Sequence, residues 1–399
     1  KCLRLLLFKK IGFMYFSYHR VDSDELFQQV LLNFEHVVFF DLRNLFPEMC
    51  LKESEDVAPF SKDKLPHPPV IFRSMSSFKA YLKNERIVII NGFGDQKPMW
   101  RLSYLLNRYK VPMIGVQTKS GLDSEILRDN KVSVKRELTI LKKIIDKTTF
   151  FIYLVLLYFR VLSKYDLYFI SGERLLKGIT KYKIKYKEII YVNSSTYDYT
   201  LNHKENTINE SDFIVFLDFA VPFIADFEKW GFKAIDPDLY YSQLNNFFCL
   251  IEKLTSKTVV ICAHPQFNVK KKEKYFPNRE VVWFKTNAYV EKSSFVLVHF
   301  TNAVHYAIIH NKPILLLDND ILNPYIKTGM DYIKNELNLT RVDYNSISEG
   351  DLLSVLSFLK VDLDKYNQFK MNFLINPGDE GITSSKKIIN IIKEKYCIK

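Results

Sequence analysis

A chain of 399 residues exceeds what one hydrophobic core ordinarily fills, so two domains are the starting expectation. An apolar fraction of 47% with 15% aromatics excludes a disordered chain. The 57 Lys and Arg against 45 Asp and Glu give a net charge of +12, which favours anionic partners: nucleotide phosphates, anionic lipid or nucleic acid.

The five cysteines, at positions 2, 50, 249, 262 and 397, have no metal-binding spacing and read as reduced thiols. The start, Lys1-Cys2-Leu3-Arg4-Leu5-Leu6-Leu7-Phe8, has the look of a signal segment, but Lys9-Lys10 end its apolar run well short of a secretory core. The longest apolar run, Phe150 to Phe159, stops at Arg160. That is short of the roughly 20 residues that cross a bilayer. It predicts a buried or interfacial helix, in a cytoplasmic protein whose further expected contact is the periphery of the anionic inner membrane.

In chain order, His36-Val-Val-Phe-Phe-Asp41 reads as a buried strand ending in a carboxylate, Ser77 to Lys83 as a helix, and Arg86-Ile-Val-Ile-Ile90 as a strand. That strand breaks into Asn91-Gly92-Phe93-Gly94-Asp95, a glycine-bearing turn that places Asp95 at a strand end. The turn lacks both the third glycine of a dinucleotide fingerprint and the Lys-Ser/Thr of a P-loop. Trp100 to Tyr109 reads as a helix, Val111 to Val116 as a strand, Val132 to Phe159 as a long helix, and Asp166 to Ile170 as a strand. The alternation Lys181-Tyr-Lys-Ile-Lys-Tyr-Lys187 predicts an edge strand guarded by lysines, with a docking face for anionic lipid or lipid-linked pyrophosphate as its alternative. Ile189 to Val192 then leads into Asn193-Ser-Ser-Thr-Tyr-Asp198-Tyr199.

Leu201 to Ser211 is polar and aperiodic, and reads as the linker between a domain of residues 1–205 and a second of residues 206–399. Phe213 to Leu217 restarts strand character and ends at Asp218. An amphipathic helix, Tyr240 to Leu254, leads into three apolar runs: Val259 to Ala263, Phe295 to His299, and Pro313 to Leu317. Strands alternating with helices in this rhythm predict parallel βαβ units. Ligands of such sheets sit outside the carboxyl ends of the strands, where Asp218, His264, His299, Thr301 and Asp318 all fall. Helices follow at Pro324 to Leu337, Asp351 to Leu359 (capped by Ser348), Asp364 to Phe373 and Ser385 to Tyr396. The last could pack back on the first domain.

Two features here can carry chemistry. His264-Pro265 ends a strand and presents two ring nitrogens to a phosphate or a base, unless it only caps its loop. Thr301-Asn302 sits between a strand and a helix start, where free amides and the helix dipole suit an anion; simple capping is the equal alternative. No metal-ligand or hydrolase motif is present.

With these residues in view, the chain resembles the GT-B glycosyltransferases. It looks most like those using CMP-activated acidic sugars (sialic acid, other nonulosonates, Kdo), in which a His-Pro pair and a downstream Ser/Thr pair bind the cytidine monophosphate. Phe216-Leu-Asp-Phe-Ala-Val-Pro222, Tyr240-Tyr241, Leu244-Asn245, Phe247-Phe248, Glu252, Ala263-His264-Pro265, His299, Thr301 and Lys312-Pro313-Ile314 are similar to bacterial surface-polysaccharide proteins. The resemblance implies an α/β chain of GT-B fold, two Rossmann-like domains facing a cleft. It also implies transfer of an acidic sugar from a CMP donor to a glycan or lipid-linked glycan, with no cofactor and no metal. His264, Pro265, Thr301, Asn302, Asp218 and His299 would bind the donor, and Asp95 and Asp198 are the candidate bases. Where the pattern has His-Ser-Thr-Ala, this chain has Phe300-Thr301-Asn302-Ala303, so one hydroxyl is replaced. The alternatives are a UDP- or GDP-sugar transferase or a pyruvyl transferase of the same architecture, and a non-catalytic polysaccharide-assembly protein. Nucleic acid is not expected as a partner, because the basic residues are scattered rather than interleaved with stacking aromatics.

Overall fold

The computed structural model describes residues 8–14, 25–42, 45, 70–91, 100–119, 140–159, 161–162, 164–181, 184–203, 213–224, 227–228, 230–264, 267 and 271–398. The chain divides into two compact units. The first comprises Lys1–Ser120, Leu138–Asp198 and Ile375–Lys399; the second comprises Gly121–Glu137 and Tyr199–Leu374. The division therefore falls after Asp198 rather than residue 205, and residues 375–399 belong to the first unit, not the second. Of the expected linker, Leu201 to Ser211, residues 204–211 lie outside the described residues. Leu201 and Asn202 close a helix, Ser195–Asn202.

The first unit is built on a parallel sheet of β1 (Lys10–Met14), β2 (Val37–Asp41), β3 (Val70–Ile71), β4 (Ile87–Asn91), β5 (Met113–Gln117), β6 (Tyr165–Ser171) and β7 (Tyr186–Val192). Its order is β3-β2-β1-β4-β5-β6-β7. Both faces are covered, as β4 shows: successive strand side chains point to opposite faces, so Ile87 and Ile89 enter one core while Val88 and Ile90 enter the other. The second core includes Ile388, Ile389 and Ile392 of the last helix, Ser384–Tyr396, which explains why the chain's end returns here. The turn before that helix is held by Asn193, whose Nδ2 donates to the carbonyls of Asp379 (2.8 Å) and Ile382 (2.7 Å). Its Oδ1 accepts from Asn376 N at 2.7 Å.

Two expectations fail here. The alternating lysine run is not one strand: Lys181 ends a helix, Arg174–Lys181, and pairing begins only at Tyr186. Tyr182 and Lys183 lie outside the described residues. The lysine at the start of β7 is nonetheless an edge residue, and Lys187 pairs with Asp166 of β6. The central strand β1 falls in a segment that the apolar pattern had passed over.

The second unit carries β8 (Phe213–Leu217), β9 (Thr258–Cys262), β10 (Val281–Val282), β11 (Val296–Val298), β12 (Ile314–Asp318) and β13 (Thr340–Asp343). All are parallel, in the order β10-β9-β8-β11-β12-β13. The helix Pro237–Thr255, capped by Asp236, buries Tyr240, Tyr241, Leu244, Phe247, Phe248 and Ile251. Its polar members fix neighbouring strands. Glu252 accepts from Val259 N (2.7 Å) at the start of β9 and pairs with Arg279, which also lies over the Phe248 ring.

The helix Pro324–Leu337 packs against the chain just after β11 through Gly329. A Cβ at that position would come within 2.4 to 2.7 Å of the Phe300 ring. Gly329→Ala is expected to gain about 1 kcal/mol in helix propensity and to lose about 1–3 kcal/mol by overpacking. The overpacking wins because Phe300 is fully buried and has nowhere to move. Chemical denaturation should show a net loss of stability; a gain would mean that Phe300 relaxes freely.

Candidate functional site

The strand order of the second sheet reverses between β8 and β11, and in open parallel sheets ligands bind at the carboxyl ends beside such a reversal. Asp218 directly follows β8, His264 lies just beyond β9, His299 directly follows β11, and Asp318 ends β12. Four of the residues singled out from sequence are thereby brought to one edge of one sheet, two of them at the reversal itself.

Asp218 is buried. Its Oδ1 accepts from Ala220 N at 2.8 Å, an Asx turn that holds Ala220 in the left-handed region at φ 52° and starts the short helical turn Val221–Phe223. The backbone amides of Phe219 and His264 also point at the carboxylate. Asp218 thus ties together the exits of β8 and β9. Oδ2 has no hydrogen-bond partner among the described residues. Burial outweighs the three amides and pushes the carboxyl up to about 7. The hydroxyls of Tyr240 and Tyr241, both buried and without a hydrogen-bond partner among the described residues, feel its charge.

A carboxyl raised in the folded state stays protonated there while the unfolded chain ionises. Its contribution is present below about pH 4 and is lost as pH rises through about 7. Asp218→Asn keeps the Oδ1 acceptor and cannot ionise. Its melting point is expected to fall less than the wild type's between pH 4 and 7. Parallel curves for the two proteins would contradict this.

His264 is partly buried, with its ring edge-on to Phe219 at 5.6 Å, and burial lowers its pKa below the ordinary histidine value. Pro265 lies outside the described residues.

His299 is fully buried, and its Nδ1 lies 2.5 Å from the Leu317 carbonyl. That contact makes Nδ1–H the donor and leaves Nε2 as an acceptor, with no partner among the described residues. Burial takes its pKa down to about 4. The rings of Phe216, Tyr240 and Tyr344 surround it at 5.6 to 5.8 Å.

Thr301 is buried and Asn302 exposed. The geometry differs from a helix start with open amides. Ala303 N donates to Thr301 Oγ1 (3.3 Å), Val304 N to the Thr301 carbonyl (3.1 Å), and His305 N to that of Asn302 (3.2 Å). The helix begins only at Val304 and runs to Ile309. The tight turn takes up the amides of Ala303, Val304 and His305, while the Thr301 hydroxyl, which accepts from Ala303 N, keeps its own O–H as a donor.

Asp318 accepts from Asn319 N (2.8 Å) and from Arg341 Nε (3.0 Å), an ion pair between β12 and β13 that the sequence alone did not disclose. Asp95 lies outside the described residues. Asp198, in the first unit, is buried. Its Oδ1 accepts from Ser384 N (2.8 Å) and its Oδ2 from the Ser384 hydroxyl, which anchors the start of the last helix. Burial raises its pKa to about 6 against these bonds. Among the described residues no cluster of three or more His, Cys, Asp or Glu could hold a metal ion.

No protein-family model matches the sequence, and no curated protein does. Solved structures do match over nearly the whole chain. The calicheamicin glycosyltransferase CalG4 is 11% identical, with 98% of each chain covered and a TM-score of 0.50. Arabidopsis thaliana UGT89C1, complexed with UDP, is 12% identical over 98% of this chain and 100% of its own, with a TM-score of 0.48. The UDP co-structure of S. aureus MnaA is 15% identical over 96% of each chain, with a TM-score of 0.46. At such identities the likeness is one of fold. Two parallel-sheet α/β domains that match CalG4 along 98% of both chains give this protein the GT-B fold.

Proposed function

We propose that the protein is a glycosyltransferase that takes its sugar from a nucleotide donor, whose nucleoside phosphate binds at the carboxyl edge of the second sheet. The observation that carries this is the strand reversal between β8 and β11, with Asp218 and His299 at the reversal and His264 and Thr301 beside it. His264 and the Thr301 hydroxyl are the groups that would hydrogen-bond the phosphate in this reading. Asp218 and His299 set the ends of the strands that carry them. Holding the leaving phosphate with fixed donors stabilises the charge that develops as the glycosidic bond breaks. The acceptor hydroxyl then needs a base. Asp95 is the proposed carboxylate, because Asp198 has both oxygens on Ser384.

The finer proposal for the donor is a CMP-activated acidic sugar, on the strength of the His264-Pro265 and Thr301 pattern, with a glycan or lipid-linked glycan as acceptor. The second reading is a UDP-sugar, the nucleotide that several solved structures of this fold are named with. A thermal-shift panel of CMP, UDP, GDP and heparin separates them. A ligand at 100 times its dissociation constant adds about 2.7 kcal/mol to the stability of the native state. Stabilisation by CMP alone supports the finer proposal and stabilisation by UDP the second reading. A response only to heparin sinks both.

A further inference from the structure

The helix Ile140–Tyr158 of the first unit turns the wrong face outward for a soluble domain. Phe151 is 66% exposed, Tyr158 81% and Phe159 68%, while Tyr153 is buried and anchors the helix from its other side. Lys147, Phe151, Val155 and Tyr158 recur at spacings of four, four and three, and Thr148, Ile152 and Phe159 lie beside them. At 3.6 residues per turn these positions form one continuous stripe. The stripe is aromatic and aliphatic along its last three turns and begins at Lys147; Lys142 and Lys143 stand in the helix's first turn. Contiguous apolar surface of this kind marks an interaction site rather than a solvated face. No helix among the described residues is long and apolar enough to cross a membrane.

We infer that this stripe docks on the surface of an anionic lipid bilayer, with the helix lying in the plane of the interface. Charge selects the occupant. The chain carries +12, and the exposed Lys147 heads the stripe, so a second copy would set like charges against each other. An anionic bilayer instead offers headgroups to Lys147 and an acyl boundary to the rings. Tyr158 suits that depth, with an apolar ring and a hydroxyl that stays at the wet boundary. The inference stands apart from the donor proposal, since it uses no residue of the second unit.

The test is co-sedimentation of the full chain with vesicles of phosphatidylcholine, with and without phosphatidylglycerol. Binding is expected only to vesicles with the anionic lipid and should weaken as salt is raised. Phe151→Ser combined with Phe159→Ser removes two exposed rings, so the melting point should be unchanged while vesicle affinity drops roughly tenfold or more. Lys147→Glu should lower affinity roughly fivefold or more, again without unfolding. Equal binding by the wild type and both variants overturns the inference. So does a dimer, seen by sedimentation without lipid, that the double variant dissolves. The nucleotide thermal shift is measured on the same samples. Loss of vesicle binding with that shift intact separates failure at the membrane from failure at the donor site.

Discussion

His305→Leu is expected to raise the stability of the protein and to flatten its loss in mild acid. His305 is fully buried in the helix Val304–Ile309, with its ring 5.9 Å from Phe369, and neither ring nitrogen has a hydrogen-bond partner among the described residues. A buried polar group left without a partner costs about 1–3 kcal/mol. A leucine of similar volume removes that cost and suits a helix at least as well. The titration adds a second effect. Burial takes the His305 pKa down from 6.5 to about 3. The sign follows from linkage: a histidine depressed in the folded state contributes stability that is present above pH 6.5 and is lost as pH falls toward 3, because only the unfolded chain takes up the proton. At about 1.4 kcal/mol per pKa unit, the effect is on the order of 5 kcal/mol over the whole window. Chemical denaturation at pH 7 and pH 5 checks both parts. The variant should be more stable at each, with the larger gain at pH 5. A variant less stable than the wild type at pH 7 would mean that the ring nitrogens have partners after all. His299, taken down to about 4 by its own burial, keeps an acid limb in either protein.

His264→Ala is expected to weaken nucleotide binding by roughly 10- to 150-fold, the equivalent of losing one hydrogen bond to a charged group at about 1.5–3 kcal/mol. The fold should survive. The ring is only partly buried and touches Phe219 edge-on. The backbone amide of His264 that points at Asp218 is unchanged by the substitution. Thr301→Ala should do less to binding than His264→Ala. It also frees the Ala303 amide, which now donates to the Thr301 hydroxyl and could then turn to the phosphate. Titration calorimetry with the tightest-binding nucleotide of the panel reads the difference. Unchanged affinity in His264→Ala removes the residue from the site, and an unfolded variant makes it a structural histidine.

The second unit was more legible in the sequence than the first, and the reason is physical. Its strands are buried on both faces, so Phe213-Ile-Val-Phe-Leu217 and Pro313-Ile-Leu-Leu-Leu317 stand out as unbroken apolar runs that end in carboxylates. Caps were equally readable, as at Ser348, which accepts from Asp351 N. In the first unit the central strand β1 was missed. Its short run, Lys10-Ile-Gly-Phe-Met14, includes a glycine whose missing side chain leaves room for the Phe40 ring, and two lysines precede its apolar residues. The helix Ser195–Asn202 reads as a polar segment, because its stability comes from the Ser194 cap and tertiary packing rather than from an apolar stripe.

At the site, positions at strand ends were legible but occupancy was not. The sequence could place Asp198 just before the expected linker and Asp318 at the end of a strand. It could not show that Ser384 takes one carboxylate and Arg341 the other, since those partners lie 186 and 23 residues away. Likewise Thr301 was correctly set at a strand-to-helix junction, but the three-residue hydrogen-bond spacing that closes the turn depends on backbone geometry.

The most direct test of the account is a crystal of the wild-type protein soaked with CMP. The account predicts density for the nucleotide at the carboxyl ends of β8, β9 and β11, with its phosphate within hydrogen-bond distance of the His264 ring and the Thr301 hydroxyl. CMP bound elsewhere on the chain, or UDP displacing it from that edge at equal concentration, would contradict it.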